Sequence, residues 1–332
     1  MVSRRKSDLL SNLPDCLLVT IISLLPFKQS VQTSILARRW KNLCLETTNL
    51  VFKESEFVNL STDTETIKSK RSLFVSTICQ WISSFTGEVI ESLEFSLSEP
   101  VSFEKAIVSL TEFAASKQIK NITIDFSSPA SRKIDVIEHL VTLMHYQNTE
   151  FDITRIFFNL IHVRNLTICS FLIQMIQECE DPMEMHDAME ARHLVMRTNL
   201  HANEFVGITI FLNSCPELGS LTFHMDTTER IVILQRISMP LDPKVFWLTN
   251  DTYECLERTL KLVKIKNFRG GSNELHVLKY LIRRGLVMEQ LDLYEAKGLN
   301  DDQRRLVLTA AEEVQKNVGR GSKHLRITLH KA

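Results

Sequence analysis

Short segments of alternating apolar and polar residues recur through the middle of the chain, separated by segments that favour helices. The alternating segments are 92–97, 121–126, 165–168 and 220–223, and a period of two predicts a strand with one buried face. Apolar stripes at helical spacing separate the first three strands: Phe103, Ile107, Leu110 and Ala114, then Ile134, Ile137, Val141 and Met144. One strand and one helix cannot cover their own apolar faces, so stacked strand–helix units are predicted.

The spacing of these units is irregular. Leu93 and Ile122 lie 29 residues apart, within the period of a leucine-rich repeat, but the next steps are 44 and 55 residues. Asn203 is predicted to cap a further helix over 205–212. We therefore expect a short, irregular leucine-rich-repeat-like α/β solenoid over residues 72–240.

The N-terminal stretch from Leu13 to Trp40 is predicted to form two short amphipathic helices. Pro14 suits a helix start and Pro26 a helix end, and the segment 28–36 carries a second apolar stripe. So few residues cannot bury this much Leu, Ile and Trp against themselves. The surplus must meet either the next domain or another protein.

Several residues of this stretch stand in a familiar register: Leu13-Pro14-Asp15, Leu17-Leu18, Ile21, Leu24-Leu25-Pro26, Val31 to Ser34, Leu36 and Arg38-Arg39-Trp40. In this register the chain resembles the F-box of plant proteins over 8–52, with Ala37 and Gln29-Ser30 as departures. The resemblance implies docking to a Skp-family adaptor, and through it to cullin and a RING protein. The implied adaptor-binding residues are Leu13, Pro14, Leu17, Leu18, Ile21, Leu24, Leu25, Pro26, Val31, Leu36, Arg39 and Trp40, a core role being the alternative for Trp40.

The C-terminal part is predicted to form a further α/β unit. Residues 53–71 read as a polar linker and 72–85 as a helix; strands are expected at 262–268, 290–293 and 324–329, with a helix starting at Asn300. The segment 215–221 resembles a junction of plant F-box repeat proteins, and 247–330 resembles their FBD domain. The implied fold is an N-terminal helical F-box, a leucine-rich-repeat-like α/β solenoid and a C-terminal FBD cap.

Composition restricts the class of protein. The 332 residues carry a net charge of -1 and seven cysteines without a CxxC pair, which suggests reduced thiols and no general attraction to nucleic acid or membrane. No apolar run is long enough to span a bilayer, and no signal peptide is recognised. A cytoplasmic or nuclear protein is expected.

Candidate catalytic sites are weak. His186, Glu190 and His193 could share a helix face, but an HExxH zinc motif is absent, so a polar loop is the preferred interpretation. Gly270-Gly271 lacks the spacing of a phosphate loop. A surplus of basic residues over 254–332, 16 Lys and Arg against 10 Asp and Glu, reads as a solvated face. No enzyme, cofactor or metal is predicted.

The function implied by the resemblance is that of a substrate receptor of an SCF-type ubiquitin ligase, which holds an unidentified protein target. The alternative is a repeat-type scaffold or decoy that binds proteins without delivering ubiquitin.

Overall fold

A single parallel sheet organises the chain. The computed structural model describes residues 12–59, 62–127, 153–176, 188–225, 241–249, 251–316 and 318–332. Within these residues nine strands lie side by side in chain order, all parallel. The strands are β1 (Asn49–Lys53), β2 (Ser92–Ser96), β3 (Asn121–Asp125), β4 (Asn165–Cys169), β5 (His193–Thr198), β6 (Ser220–Met225), β7 (Leu262–Phe268), β8 (Gln290–Glu295) and β9 (Arg326–His330). The predicted α/β solenoid is confirmed.

Helices precede, connect and follow the strands. They are α1 (Asp15–Ser23), α2 (Phe27–Gln32), α3 (Thr64–Ser84), α4 (Glu104–Ser116), α5 (Ile153–Phe158), α6 (Ser170–Met175), α7 (Phe205–Ser214), α8 (Pro243–Phe246), α9 (Glu254–Arg258), α10 (Ser272–Arg284) and α11 (Asp301–Lys316). A 3-10 segment, Arg38–Glu46, follows α2. The predicted stripe over 134–144 lies outside the described residues.

The strands stack in register, so that equivalent residues form columns across the sheet. The first buried column contains Leu50, Leu93, Ile122, Leu166, Leu194, Leu221, Val263 and Leu291, and the second contains Phe52, Phe95, Ile124, Ile168, Met196, Phe223, Ile265 and Leu293. Each side chain is covered by its neighbours on the adjacent strands. One continuous core therefore runs along the array.

Backbone hydrogen bonds join successive repeats just before each strand. The carbonyl of Arg192 accepts from the N–H groups of Gly219 and Ser220, and the carbonyl of Gly219 accepts in turn from those of Lys261 and Leu262. The same paired arrangement recurs at the carbonyls of Lys120 and Arg164. The turns entering the strands thus satisfy their polar groups through the neighbouring repeat.

Residues 53–71 differ from the polar linker that the sequence predicts. They hold the last residue of β1, a 3-10 turn and the beginning of α3, which starts at Thr64 because the Asp63 side chain accepts from the Thr66 N–H at 2.9 Å. Arg71 is buried, and its Nε donates to Glu54 at 2.8 Å. This ion pair fastens α3 to the end of β1.

The helix start near residue 203 also differs from the prediction. His201, not Asn203, occupies the N-cap, and its N–H donates to the buried carboxylate of Glu204 at 2.8 Å.

Asn300 does act as predicted: its side chain accepts from the Gln303 N–H at 2.9 Å, and its own N–H donates to the Gln303 side chain. The C-terminal strands β7, β8 and β9 extend the sheet.

Gly207 of α7 packs directly against Ile173 of α6, and substitution there is expected to destabilise the fold. A Cβ at this position would lie 1.9 Å from the backbone carbonyl oxygen of Ile173, so Gly207→Ala forces the helices apart at a cost of about 1–3 kcal/mol. Urea denaturation measures the loss. Gly319→Ala, where an added Cβ meets nothing within 4 Å, should leave the midpoint unchanged, and equal midpoints for both variants would contradict the packing.

Glu274 makes the stability of the C-terminal repeats depend on pH. Burial raises the pKa of its carboxyl to about 7 from the ordinary value of 4.5, although the N–H groups of Gly271 and Arg269 donate to it. Between these two pH values the folded chain binds more protons than the unfolded one, so stability falls as pH rises.

The variant Glu274→Gln should lack this loss. Its free energy of unfolding relative to wild type should therefore rise between pH 4.5 and 7, by at most about 1.4 kcal/mol per pH unit. Urea titrations of both proteins across this range test the expectation, and parallel stability curves would refute it.

Candidate functional site

The N-terminal helical unit, residues 13–46, has a small core of its own. Helix α1 contributes Leu18 and Ile22, and the 3-10 segment 38–46 contributes Trp40, Leu43 and Cys44, all of them buried. These five side chains form a cluster distinct from the core of the solenoid. The 3-10 segment therefore covers the face of α1 that carries Leu18 and Ile22.

Arg39 fastens the beginning of α1 to the 3-10 segment. Its Nε donates to the Asp15 carboxylate at 2.8 Å, and its Nη2 donates to the Leu13 carbonyl at 2.6 Å. Both side chains of the ion pair are largely exposed, so its contribution to stability is modest. Its effect is to fix where the Leu-Pro-Asp turn lies.

The adjacent face of α1 is apolar and uncovered. Leu17, Ile21 and Leu24 follow one another at helical spacing, and they are 48%, 38% and 78% exposed. Beyond α2, Ile35 and Leu36 are 83% and 71% exposed. We call these five residues the exposed apolar set. Five large apolar side chains left in water within the twenty residues from 17 to 36 are typical of an interaction site.

The residues predicted to bind an adaptor fall into three groups by exposure. Exposed are Pro14, Leu17, Ile21, Leu24, Pro26, Leu36 and Arg39; half-buried are Leu13, Leu25 and Val31; buried are Leu18 and Trp40. Leu18 and Trp40 support the unit from within. Ile35, absent from the predicted set, is the most exposed large apolar side chain in the part of the chain that the structure describes. Its spacing of four from Val31 is the sequence signal that groups it with the same stripe.

Phe27 ties the helical unit to the solenoid. Its ring makes edge-to-face contacts with Phe52 of β1, at 4.8 Å between centroids, and with Trp81 of α3, at 5.6 Å. Such aromatic pairs add directional contacts to the area they bury. The exposed apolar set is thus carried at the first repeat of the array.

The structure does not bring Glu190 and His193 together as one site. Glu190 lies before β5 and contacts His162 Nδ1 at 2.9 Å, whereas His193 begins β5 and contacts Ser220 Oγ at 2.7 Å; His186 lies outside the described residues. Across those parts of the chain that the structure describes, no group of three metal-ligating side chains is found. Within the same residues no helix has the length and apolar character needed to cross a membrane.

Comparison with known proteins agrees with these features. The F-box domain model matches residues 10–50 and the FBD model matches 250–293. A putative F-box/LRR-repeat protein of Arabidopsis thaliana is 30% identical, with 97% of this chain and 98% of the relative covered. An F-box protein of the same plant is 29% identical at the same coverage, and a putative F-box/FBD/LRR-repeat protein is 24% identical over 85% of this chain and 77% of the relative.

The chain belongs to the plant F-box/LRR-repeat protein family, and its C-terminal repeats carry the FBD segment. Proteins of the F-box family generally act as substrate receptors of SCF-type ligases, bind Skp-family adaptors and are typically non-catalytic.

Trp40 should be essential for the helical unit and dispensable for the solenoid. Truncation of a buried Trp to Ala costs about 3–5 kcal/mol, and the two cores are separate, so Trp40→Ala is expected to open residues 15–46 locally. Hydrogen exchange should show lost protection there and retained protection in β2 to β8. Leu36→Ala, at an exposed position, should change neither; global unfolding by Trp40→Ala would show that the cores are coupled.

Proposed function

We propose that this chain is the substrate-receptor subunit of an SCF-type cullin–RING E3 ubiquitin ligase. The helical unit docks a Skp-family adaptor and, through it, cullin and the RING protein. The solenoid, including its FBD segment, holds a protein target. The chain supplies no chemistry; it raises the rate of ubiquitin transfer by proximity.

The exposed apolar set carries this proposal. Complete burial of an exposed Leu or Ile side chain contributes about 1.5–3 kcal/mol, so covering these five, which are 38–83% exposed, contributes about 5–10 kcal/mol against the cost of association. Their carrier is a unit with its own core, held against the solenoid by Phe27. A partner can therefore cover this face without the solenoid being rearranged.

We also propose that adaptor binding and target binding are assigned to separate parts of the chain, with the limits predicted from the sequence. Residues 8–52 form the adaptor-binding part, 53–71 join it to the repeats, and 72–240 together with 247–330 form the target-binding part. The continuity of the sheet from β2 to β9 supports this arrangement, because it makes the target-binding repeats one body, and β1, at the end of the adaptor-binding part, pairs with that body through β2.

Charged substitutions in the exposed apolar set should abolish adaptor binding. Leu24→Glu combined with Leu36→Glu places two carboxylates in the proposed interface, where unpaired charges are costly to desolvate, and the loss of affinity should exceed about 100-fold. Co-purification with a Skp-family adaptor and titration calorimetry measure it. Neither side chain belongs to a core, so the midpoint of unfolding should stay at the wild-type value.

The matched control is Leu73→Glu, a third exposed leucine that lies on α3. It should retain the adaptor fully. Equal adaptor binding by the double variant and by wild type would refute the proposed interface. Adaptor binding without cullin recruitment, or with cullin but without ubiquitin transfer to any bound protein, would instead favour a scaffold or decoy.

A further inference from the structure

The face of the sheet opposite the core presents its side chains in rows. On β1, β2, β3, β6 and β7 the residues at the first, third and fifth positions point away from the buried columns. Register pairing places Arg197, His224 and Lys266 in one row and Thr222, Lys264 and Asp292 in another. We call this side of the sheet the outward face.

Charges on the N-terminal half of the outward face neutralise one another. Lys53 of β1 pairs with Glu94 of β2 at 3.1 Å. Asp125 of β3 reaches across β4 to form an ion pair with Arg197 of β5. This half offers hydrogen-bonding groups but little free charge to a ligand.

The C-terminal half differs. Among the residues that the structure describes, neither the Lys264 nor the Lys266 side chain has an ion-pair or hydrogen-bond partner, and both point to the outward face. Asp292, the register neighbour of Lys264, is buried, and its two oxygens contact Gln290 Nε2 at 2.7 Å and His330 Nε2 at 3.1 Å. The carboxylate of Asp292 is therefore buried and already hydrogen-bonded, and the exposed charge beside it is the positive charge of the lysines.

We propose that Lys264 and Lys266, with the polar groups of β6 to β9 around them, bind an acidic, extended segment of the target protein. The proposal rests on the proposed function, since it names the chemistry of the target that the solenoid holds. Charge complementarity carries it: within the described residues the two lysine side chains have no hydrogen bond or ion pair, and Asp292, the acidic residue beside Lys264, is buried. Their separation along β7, about 6.6–6.8 Å, equals that of alternate side chains in an extended peptide.

A protein segment suits this face better than a nucleic acid does. Binding of single strands uses exposed aromatic platforms and many phosphate contacts. Here the aromatic ring on the outward face, Tyr294, stacks on the ring of His330 at 4.5 Å between centroids, and two unpaired lysines neutralise few phosphates. The net charge of the chain, -1, adds no general attraction for a polyanion.

The test is a binding titration of the full chain in complex with its adaptor. The probes are a fluorescein-labelled peptide of alternating Glu and Ser, its counterpart with Gln in place of Glu, and a single-stranded DNA of the same charge as the acidic peptide. Fluorescence anisotropy is recorded at 50 and 300 mM NaCl. The variants are Lys264→Glu with Lys266→Glu, the charge-conserving pair Lys264→Arg with Lys266→Arg, and the control pair Lys105→Glu with Lys316→Glu on helices α4 and α11.

We expect the acidic peptide to bind at least about tenfold more tightly than the Gln peptide and to weaken in high salt. Charge reversal at 264 and 266 should remove this preference, whereas the Arg pair and the helix control pair should keep it. Equal binding by the reversed variant, no preference for the acidic peptide, or tighter binding of the DNA than of the peptide would each overturn the proposal.

Adaptor retention is measured on the same samples to separate the two proposals. Loss of peptide binding with the adaptor still bound supports the acidic-segment site. If wild type fails to hold the adaptor, the proposed receptor function fails, and the same titration on the chain alone still decides the inference.

Discussion

The strands of this protein bury their apolar side chains against the strands beside them and against the helices that connect them. A lone repeat would leave its Leu or Ile of the first buried column, and its Phe, Ile or Met of the second, partly in water. In-register stacking from β1 to β9 removes this exposure through contacts between neighbouring strands. The paired hydrogen bonds to carbonyls such as Arg192 and Gly219 hold that register. The helical unit, the FBD segment and the outward face all depend on this stacking.

The FBD segment gains its stability from the same source. Its strands β7 and β8 pair with β6 as any repeat does, and their buried residues continue both columns. What distinguishes these repeats is at their surface. The outward side chains of β7 include Lys264 and Lys266, whose register neighbours on β6 are Thr222 and His224. A segment that is ordinary in its core can thus have its own recognition chemistry.

Much of the fold could be predicted from the sequence, because alternation along a strand reports directly on a buried face. The strands at 92–96, 121–125 and 220–225 follow from it. The strand Asn49–Lys53 does not: its five residues follow the helical unit without a turn signal, and only pairing with β2 identifies them as a strand. Arg71 likewise reads as a surface cation until folding brings Glu54 and Ser98 to it.

The candidate site could be predicted only in part, for a related reason. Helical spacing groups Leu17 with Ile21 and Leu18 with Ile22, which lie on adjacent faces of α1, and both pairs look equally apolar. Which face is covered depends on where residues 38–46 pack, a tertiary contact that leaves Leu17 and Ile21 in water. The same contact decides that Trp40 lies inside. The local pattern therefore predicts the helix, but tertiary packing determines which of its faces is exposed.

The aromatic contacts of Phe27 with Phe52 and Trp81 have a geometric result. They join the helical unit directly to the first strand. Each further repeat therefore lies one strand spacing farther from the helical unit. Strands repeat every 4.7–4.9 Å, which puts β9 roughly 38 Å from β1 if the stack is measured along its axis. In such a molecule, the repeat to which a partner binds determines the distance between that partner and whatever contacts α1.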